Sequence, residues 1–421
     1  MSSPRQQPDT SSPSPTLNRF DGPLDGPIGG DIPDGGVTAW ATICRRWLVL
    51  FATFGYANAF GVYQDYYTRI YMTNKTSSEI AWIGSTQLCL QFVMGLVSGK
   101  LFDSGHFHAT VGAGSVLCVF SLFMLSLAKP NQYYQVFLPQ AIGVGIGFGL
   151  IFLPSVGVIS HHFAKRRSLA MGIVTTGSSC GGIAFPIMLN EVFQRSGFAW
   201  GVRASAFVVL GCLIAGNLLM RTRLPPKSKR PPTPPPDMKA IVTDVVYVLA
   251  TAGGFLVLLG LFFPIFYTQL FAIVHGLDHN LAFYSLAILN AASVFGRTIP
   301  NFIADQYGPF NLLIPCSAIS GVLIFAMFGI KSSAALIIFS ILYGFFSGAY
   351  ISLIAPVRLG LGFAINGIAA LTGTPIAGAL LTDDLKWWRP ITFGGIIMLT
   401  GSAVLTLSRQ LQVKRKGHQL V

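Results

Sequence analysis

Arg221 to Lys239 reads RTRLPPKSKRPPTPPPDMK. Proline in this density precludes a helix, and the basic residues keep the stretch in water, so it is a linker. What flanks it decides the fold. Upstream lie six apolar runs, at about 46–66, 80–99, 109–128, 133–160, 168–189 and 203–220. Downstream lie six more, at about 242–273, 281–303, 310–330, 333–356, 359–381 and 390–408. A helix needs about 20 residues to cross a bilayer, so the chain affords twelve spans. The reading is an all-α polytopic membrane protein: twelve transmembrane helices in two six-helix pseudo-repeats. Its parts are a disordered cytosolic N-terminal tail (1–44), a first bundle (45–220), a cytosolic linker (221–240), a second bundle (241–408) and a cytosolic C-terminal tail (409–421). No signal-peptide core opens the chain.

Composition agrees. Of 421 residues, 52% are hydrophobic and 10% charged, against roughly a quarter charged in soluble domains. A soluble enzyme, a disulfide-built secreted domain and a disordered regulator are excluded. The net charge of +13 reflects topology rather than nucleic acid, which is not an expected partner; lipid is. With tails and linker in the cytosol, 19 of the 28 Lys and Arg fall on that side, 8 fall outside, and Arg297 lies within a span. That is a positive-inside bias. It places Asn74-Lys75-Thr76 outside, so Asn74 is a candidate glycosylation site close to the membrane. The six cysteines are scattered through apolar runs with no metal spacing, and no cofactor is expected.

The two halves resemble each other. Gly99-x-x-x-Asp103-x-Gly105 follows segment 2, and Asp305-x-x-Gly308 follows segment 8; the aspartates are 202 residues apart. Lys129 and Lys331 share that offset, and so do Pro154 and Pro356. A constant offset argues for a duplicated unit. It then breaks: about 11 residues after Pro154 have no counterpart after Pro356, a deletion in the inner loop or an error in the gene model.

Two candidate gating elements follow. The aspartate of the glycine turn can hold basic groups or the N-terminus of a neighbouring helix, which stabilises one of two conformations. Gly99, Asp103, Gly105, Asp305 and Gly308 carry that expectation. Segment 5 opens on Lys165, Arg166 and Arg167, and its Gly172, Gly177 and Gly181 recur at a spacing that permits close packing. For solute binding the sharpest residue is Arg297. A guanidinium in a membrane lines a cavity or pairs. It either binds a carboxylate bidentately or braces the Asp305 turn. Polar or aromatic residues inside spans complete the candidates: Tyr56, Asn58, Gln87, Tyr267, Asn290, Tyr343 and Tyr350. Asp65 and Glu79 lie near the outer surface and Asp244 near the inner, so no carboxylate relay crosses the membrane centre.

Asp34-Gly35-Gly36-Val37-Thr38-Ala39-Trp40 resembles the signature before span 1 of the monocarboxylate-porter branch of the major facilitator superfamily, and Phe163 through Gly177 is similar to that branch's span-5 signature. Phe60-Gly61-Val62-Tyr63-Gln64-x-Tyr66-Tyr67, Asn290 through Arg297 and Leu371 through Gly378 look like its fungal members. The resemblance runs from about Pro33 to Arg409. It implies twelve helices in two bundles, rocker-switch transport and no ATP. Animal lactate carriers of the branch use a lysine in span 1 and an acid one turn before the span-8 arginine. Here Tyr56 to Phe60 has no lysine and Ser293 takes the acid's place, so proton-coupled lactate transport does not carry over.

The expected function is therefore secondary active transport of a small organic solute, with or without a coupled proton. Efflux of a secondary metabolite or organic anion leads. Uptake of a monocarboxylate or vitamin-like nutrient, or a non-transporting sensor on the same fold, stays open. An enzyme is not expected: no Ser/His/Asp set, metal cluster or phosphate loop occurs. The expected setting is a monomer in the cell membrane, with a vacuolar or vesicle membrane as the alternative.

Overall fold

The computed structural model describes residues 35–157, 163, 166–219, 243–357, 361–381 and 385–417. Among these every regular element is helical. Ten helices are long and apolar enough to cross a membrane. One of them, Arg167–Leu219, is two helices, α5 and α6, meeting at Gly197 (φ 79°), a conformation glycine adopts without strain. The twelfth pass is α1, made of Val37–Ala52, Phe54–Asn58, Phe60–Tyr66 and a wide turn Tyr67–Tyr71. The others are α2 (Ser77–Asp103), α3 (Phe107–Leu125), α4 (Tyr133–Val136 continuing through Val144–Gly157), α7 (Val245–Val274), α8 (His279–Tyr307), α9 (Pro309–Ala326), α10 (Ser333–Val357), α11 (Leu361–Leu381) and α12 (Trp388–Lys416). The linker and Lys165 lie outside the described residues, as do 358–360 of the short inner loop.

Two elements differ from the sequence reading. Helix α1 begins at Val37, eight residues before the boundary set at 45. These added turns, VTAWATIC, are mostly apolar and carry a packed face: Ala39 and Ile43 are buried, and Trp40 meets Phe163 edge-on at 5.8 Å. Helix α1 is also broken, at Thr53 and Ala59. The Thr53 hydroxyl donates to the Val49 carbonyl at 2.8 Å, a back-bond that bends helices. Beside it Gly55 presses on α5, where a Cβ would come within 2.6 Å of the Gly181 backbone. Helix α4 has its own wide turn over Phe137–Gly143, around Pro139. Tyr67 donates to Gln140 Oε1 at 2.7 Å and ties the two wide turns together.

Glycine sets the other close approaches. Gly177 meets the Trp47 backbone of α1, and Gly172 meets the Arg297 carbonyl of α8, each at 2.3 Å from an added Cβ. Van der Waals contact between small residues, rather than hydrophobic burial, holds membrane helices together. The turn glycines Gly105 (φ 90°) and Gly308 (φ 87°) stand at matching places in the two halves. The halves touch through α5 against α8, α2 against α11, and α1 against α7. Large apolar side chains such as Val116, Phe207, Leu218 and Phe295 are exposed on the outside of the bundle. In water such a surface would aggregate; in a bilayer it is solvated.

Candidate functional site

Between the halves lies a cavity with walls from both. Leu50, Phe54, Phe92 and Phe152 line one side; Leu258, Phe262, Ile351 and Ile354 line the other. Its polar groups come from Asn58, Thr175 and Ser178 of the first half and Arg297 and Asn366 of the second. About 50 Å³ is open to the centres of water molecules. That is room for a few waters, and drug-sized solutes occupy pockets of about 300–1,000 Å³. The helices must part for loading, so this is a contracted state.

Arg297 dominates the electrostatics. It is 4% exposed. Its Nε donates to Ser293 Oγ at 3.0 Å and its Nη1 to the Thr175 carbonyl at 3.2 Å. It makes no bond to Asp305, which lies eight residues on, about 12 Å along the helix. Among the described residues no carboxylate pairs with it. Two of the five N–H donors of a guanidinium are engaged, and its charge is uncompensated in an apolar chamber. Such a site favours an anion, which a guanidinium can hold bidentately. Asn58 Nδ2 reaches the Ser178 carbonyl at 3.5 Å. Asn366 is 1% exposed and its Oδ1 has no partner among the described residues. The rule that selects Asn58, an amide in an apolar run, also selects Asn366; its place in the cavity, like those of Thr175 and Ser178, is visible only in the fold.

Of the eight binding candidates the structure brings Arg297 and Asn58 to this cavity. The other six lie elsewhere. Tyr56 shares a 2.6 Å hydrogen bond with Tyr63 inside an aromatic cluster with Phe148 and Phe185. Asn290 donates to Leu286 and packs on Gly182. Gln87 is buried against Gly145 of α4. Tyr267 packs on Gly378, near the outer end. Tyr343 donates to the Leu261 carbonyl at 2.7 Å, and Tyr350 is fully buried. Helical period and polarity are local properties, whereas facing the cavity depends on each helix's rotation against its neighbours.

The gating candidates divide likewise. At the end that the charge bias assigns to the cytosol, both Asp305 oxygens accept backbone N–H bonds, from Ser168 at 2.9 Å and Leu169 at 3.0 Å. The carboxylate of α8 thus caps the first turn of α5 across the two halves, satisfying donors that a helix start leaves free. Arg166 is exposed and Arg167 half-buried. Gly99 and Asp103 lie in the last turns of α2, with the Asp103 side chain outside the described residues. At the opposite end Ser78 donates to the Pro375 carbonyl at 3.1 Å, and Gln269 of α7 donates to Asp65 of α1 at 3.1 Å. Contacts between the halves therefore lie on both sides of the cavity. Asn74 sits exposed in the short α1–α2 turn, while the Thr76 hydroxyl is bonded to Glu79, capping α2.

A model of the Major Facilitator Superfamily matches residues 46–357. The chain is 39% identical to the aspyridones efflux protein of Emericella nidulans, over 94% of this chain and 82% of that protein. It is 39% identical to the agnestins efflux protein of Paecilomyces divaricatus, over 87% and 86%. With the fujikurins efflux protein of Gibberella fujikuroi it shares 35% identity, over 91% and 85%. Among solved structures, a bacterial homologue of the human drug peptide transporters superposes with a TM-score of 0.65, at 14% identity, over 91% of this chain and 100% of that one. That likeness speaks for the fold.

Proposed function

The chain belongs to the Major Facilitator Superfamily, and from that premise we propose that it exports an anionic secondary metabolite from the cell. The single observation behind the choice of solute is Arg297, a buried guanidinium with no carboxylate partner among the described residues, in an aromatic-walled cavity. A chamber of this kind accepts a carboxylate or enolate on a flat, apolar body. Relatives named for the efflux of aspyridones, agnestins and fujikurins support the export reading. The residues quoted above support a place in the monocarboxylate-porter-like branch. We take the protein to act as a monomer in the plasma membrane, with a proton as the coupled ion.

The test uses cells preloaded with labelled aromatic carboxylates or with their methyl esters. Efflux is followed with the pH gradient intact or collapsed, for the natural chain, Arg297→Lys and Arg297→Ala. The expected result is gradient-dependent loss of the acids and not the esters, reduced at least tenfold in Arg297→Ala and partly kept in Arg297→Lys. Equal export of acid and ester, or full export by Arg297→Ala, would refute the anion site. Net accumulation would reverse the direction.

A further inference from the structure

Several buried polar atoms have no partner among the described residues, both ends of the Gln91 amide included. Asn366 Oδ1 is the one that belongs to the wall of the central cavity. Two close approaches fix how α11 presents it. Gly367 packs on α2, where an added Cβ would stand 3.0 Å from the Phe92 Cβ. Gly373 packs on α7, at 2.3 Å from an added Cβ to the Leu259 carbonyl. Asn366 precedes Gly373 by seven residues, two turns along the same face. The carboxamide is therefore held at the seam between the halves by backbone-level contacts, with little freedom to turn away. The other polar groups of the wall are largely engaged. The Thr175 and Ser178 hydroxyls each donate to the carbonyl three residues before them, at 2.9 Å. The Thr175 carbonyl accepts from Arg297, and the Ser178 carbonyl from Asn58. The largest unmet demands are the free donors of Arg297 and the acceptor of Asn366.

We infer that Asn366 accepts a hydrogen bond from the solute, so that the exported acid is one that also carries a hydroxyl or N–H group. The inference rests on the anion reading of Arg297 above and narrows it. The acid end of the solute meets the guanidinium, and its donor meets the carboxamide oxygen. Phe54, Phe92, Phe152 and Phe262 cover the flat body between them. Two polar points on an apolar wall fix one orientation. When the helices part, the Asn366 oxygen is free to bond to water. Closure around a solute removes that water. A hydroxyl or N–H takes its place; a methyl ether or a bare ring does not, and leaves a buried acceptor unpaired. A phenolic hydroxyl keeps its proton near neutral pH while a carboxylic acid loses its own. One molecule can therefore satisfy both ends of the chamber.

The test measures binding to the full chain in lipid nanodiscs. The probes are hydroxynaphthoic acids that differ in ring position, each paired with its methyl ether, and naphthoic acid itself. The natural chain should bind at least one hydroxy acid about tenfold tighter than its ether, the scale of a buried acceptor left unpaired. Asn366→Leu, close in volume and without polar atoms, should abolish that difference while the ethers and naphthoic acid bind as before. Their retained binding shows that the variant is folded, and Asn366→Ala, which adds no bulk, repeats the comparison. Equal binding of hydroxy acid and ether at every ring position in the natural chain overturns the inference without any variant. A preference unchanged in Asn366→Leu and Asn366→Ala overturns it too. So does tighter binding of an ether, because the wall would then be offering the amide N–H. Arg297→Ala and the methyl esters separate the two readings. Acids that need Arg297 but show no hydroxyl preference sink the Asn366 contact alone. A hydroxyl preference that needs Asn366, with acid and ester bound alike in the natural chain and in Arg297→Ala, sinks the anion reading alone.

Discussion

Replacing Asp305 tests the inner gate directly. Its carboxylate accepts two backbone N–H bonds from the first turn of α5, and Asp305 itself is half-buried. A hydrogen bond to a charged group contributes about 1.5–3 kcal/mol net. Solvent screening at a half-buried site brings the pair to about 2 kcal/mol in total. The bonds exist only while α5 and α8 are together, so Asp305→Ala should shift the closed-to-open equilibrium on the inner side by about 30-fold. Asp305→Asn keeps one neutral acceptor and should shift it by about fivefold. The assay is alkylation of Ser168→Cys in inside-out vesicles, in a Cys44→Ser background because Cys44 is exposed. Ser168 is 7% exposed, and the substitution leaves its backbone donor in place. Labelling should accelerate in the order natural, Asn, Ala. An unchanged rate in Asp305→Ala, with a thermal unfolding midpoint near that of the parent, would refute the reasoning: the capping bonds would then be incidental to closure.

Two further expectations follow from the packing. In Gly172→Val the added Cβ would meet the Arg297 carbonyl at 2.3 Å, backbone that cannot move cheaply; overpacking of this kind costs about 1–3 kcal/mol. The variant should melt lower and label faster at Ser168→Cys, and a parental melt would show that α5 and α8 have slack. Thr76→Ala removes half of the capping box that starts α2, in which Thr76 Oγ1 accepts from Glu79 N at 3.2 Å. It should cost about 1 kcal/mol of stability with transport kept, and any glycan-dependent gel shift from Asn74 should vanish with the sequon.

The sequence by itself carried the number of apolar segments and the proline-rich stretch between six and six, and it set the expected orientation in the bilayer. Each depends on quantities summed along the chain: about 20 apolar residues for a span, proline against helix, and lysine and arginine biased to one side. The duplicated aspartates were legible too, and so was the idea that one caps a neighbouring helix; the partner atoms of Ser168 and Leu169 were not. Tertiary structure alone decided which polar residues share a chamber. Asn58, Thr175, Arg297 and Asn366 come from four helices, and only the rotation of each against its neighbours turns them to one point. Tyr56, Tyr343 and Asn290 carry the same polarity and burial yet bond within their own surroundings. Asp65 shows the limit most plainly. Its position along α1 marks it as near one end of the helix, and only the approach of α7 with Gln269 makes it a buried carboxylate between the two halves. Depth along a helix is set by residue count, whereas burial and partnership are set by what a distant part of the chain brings alongside.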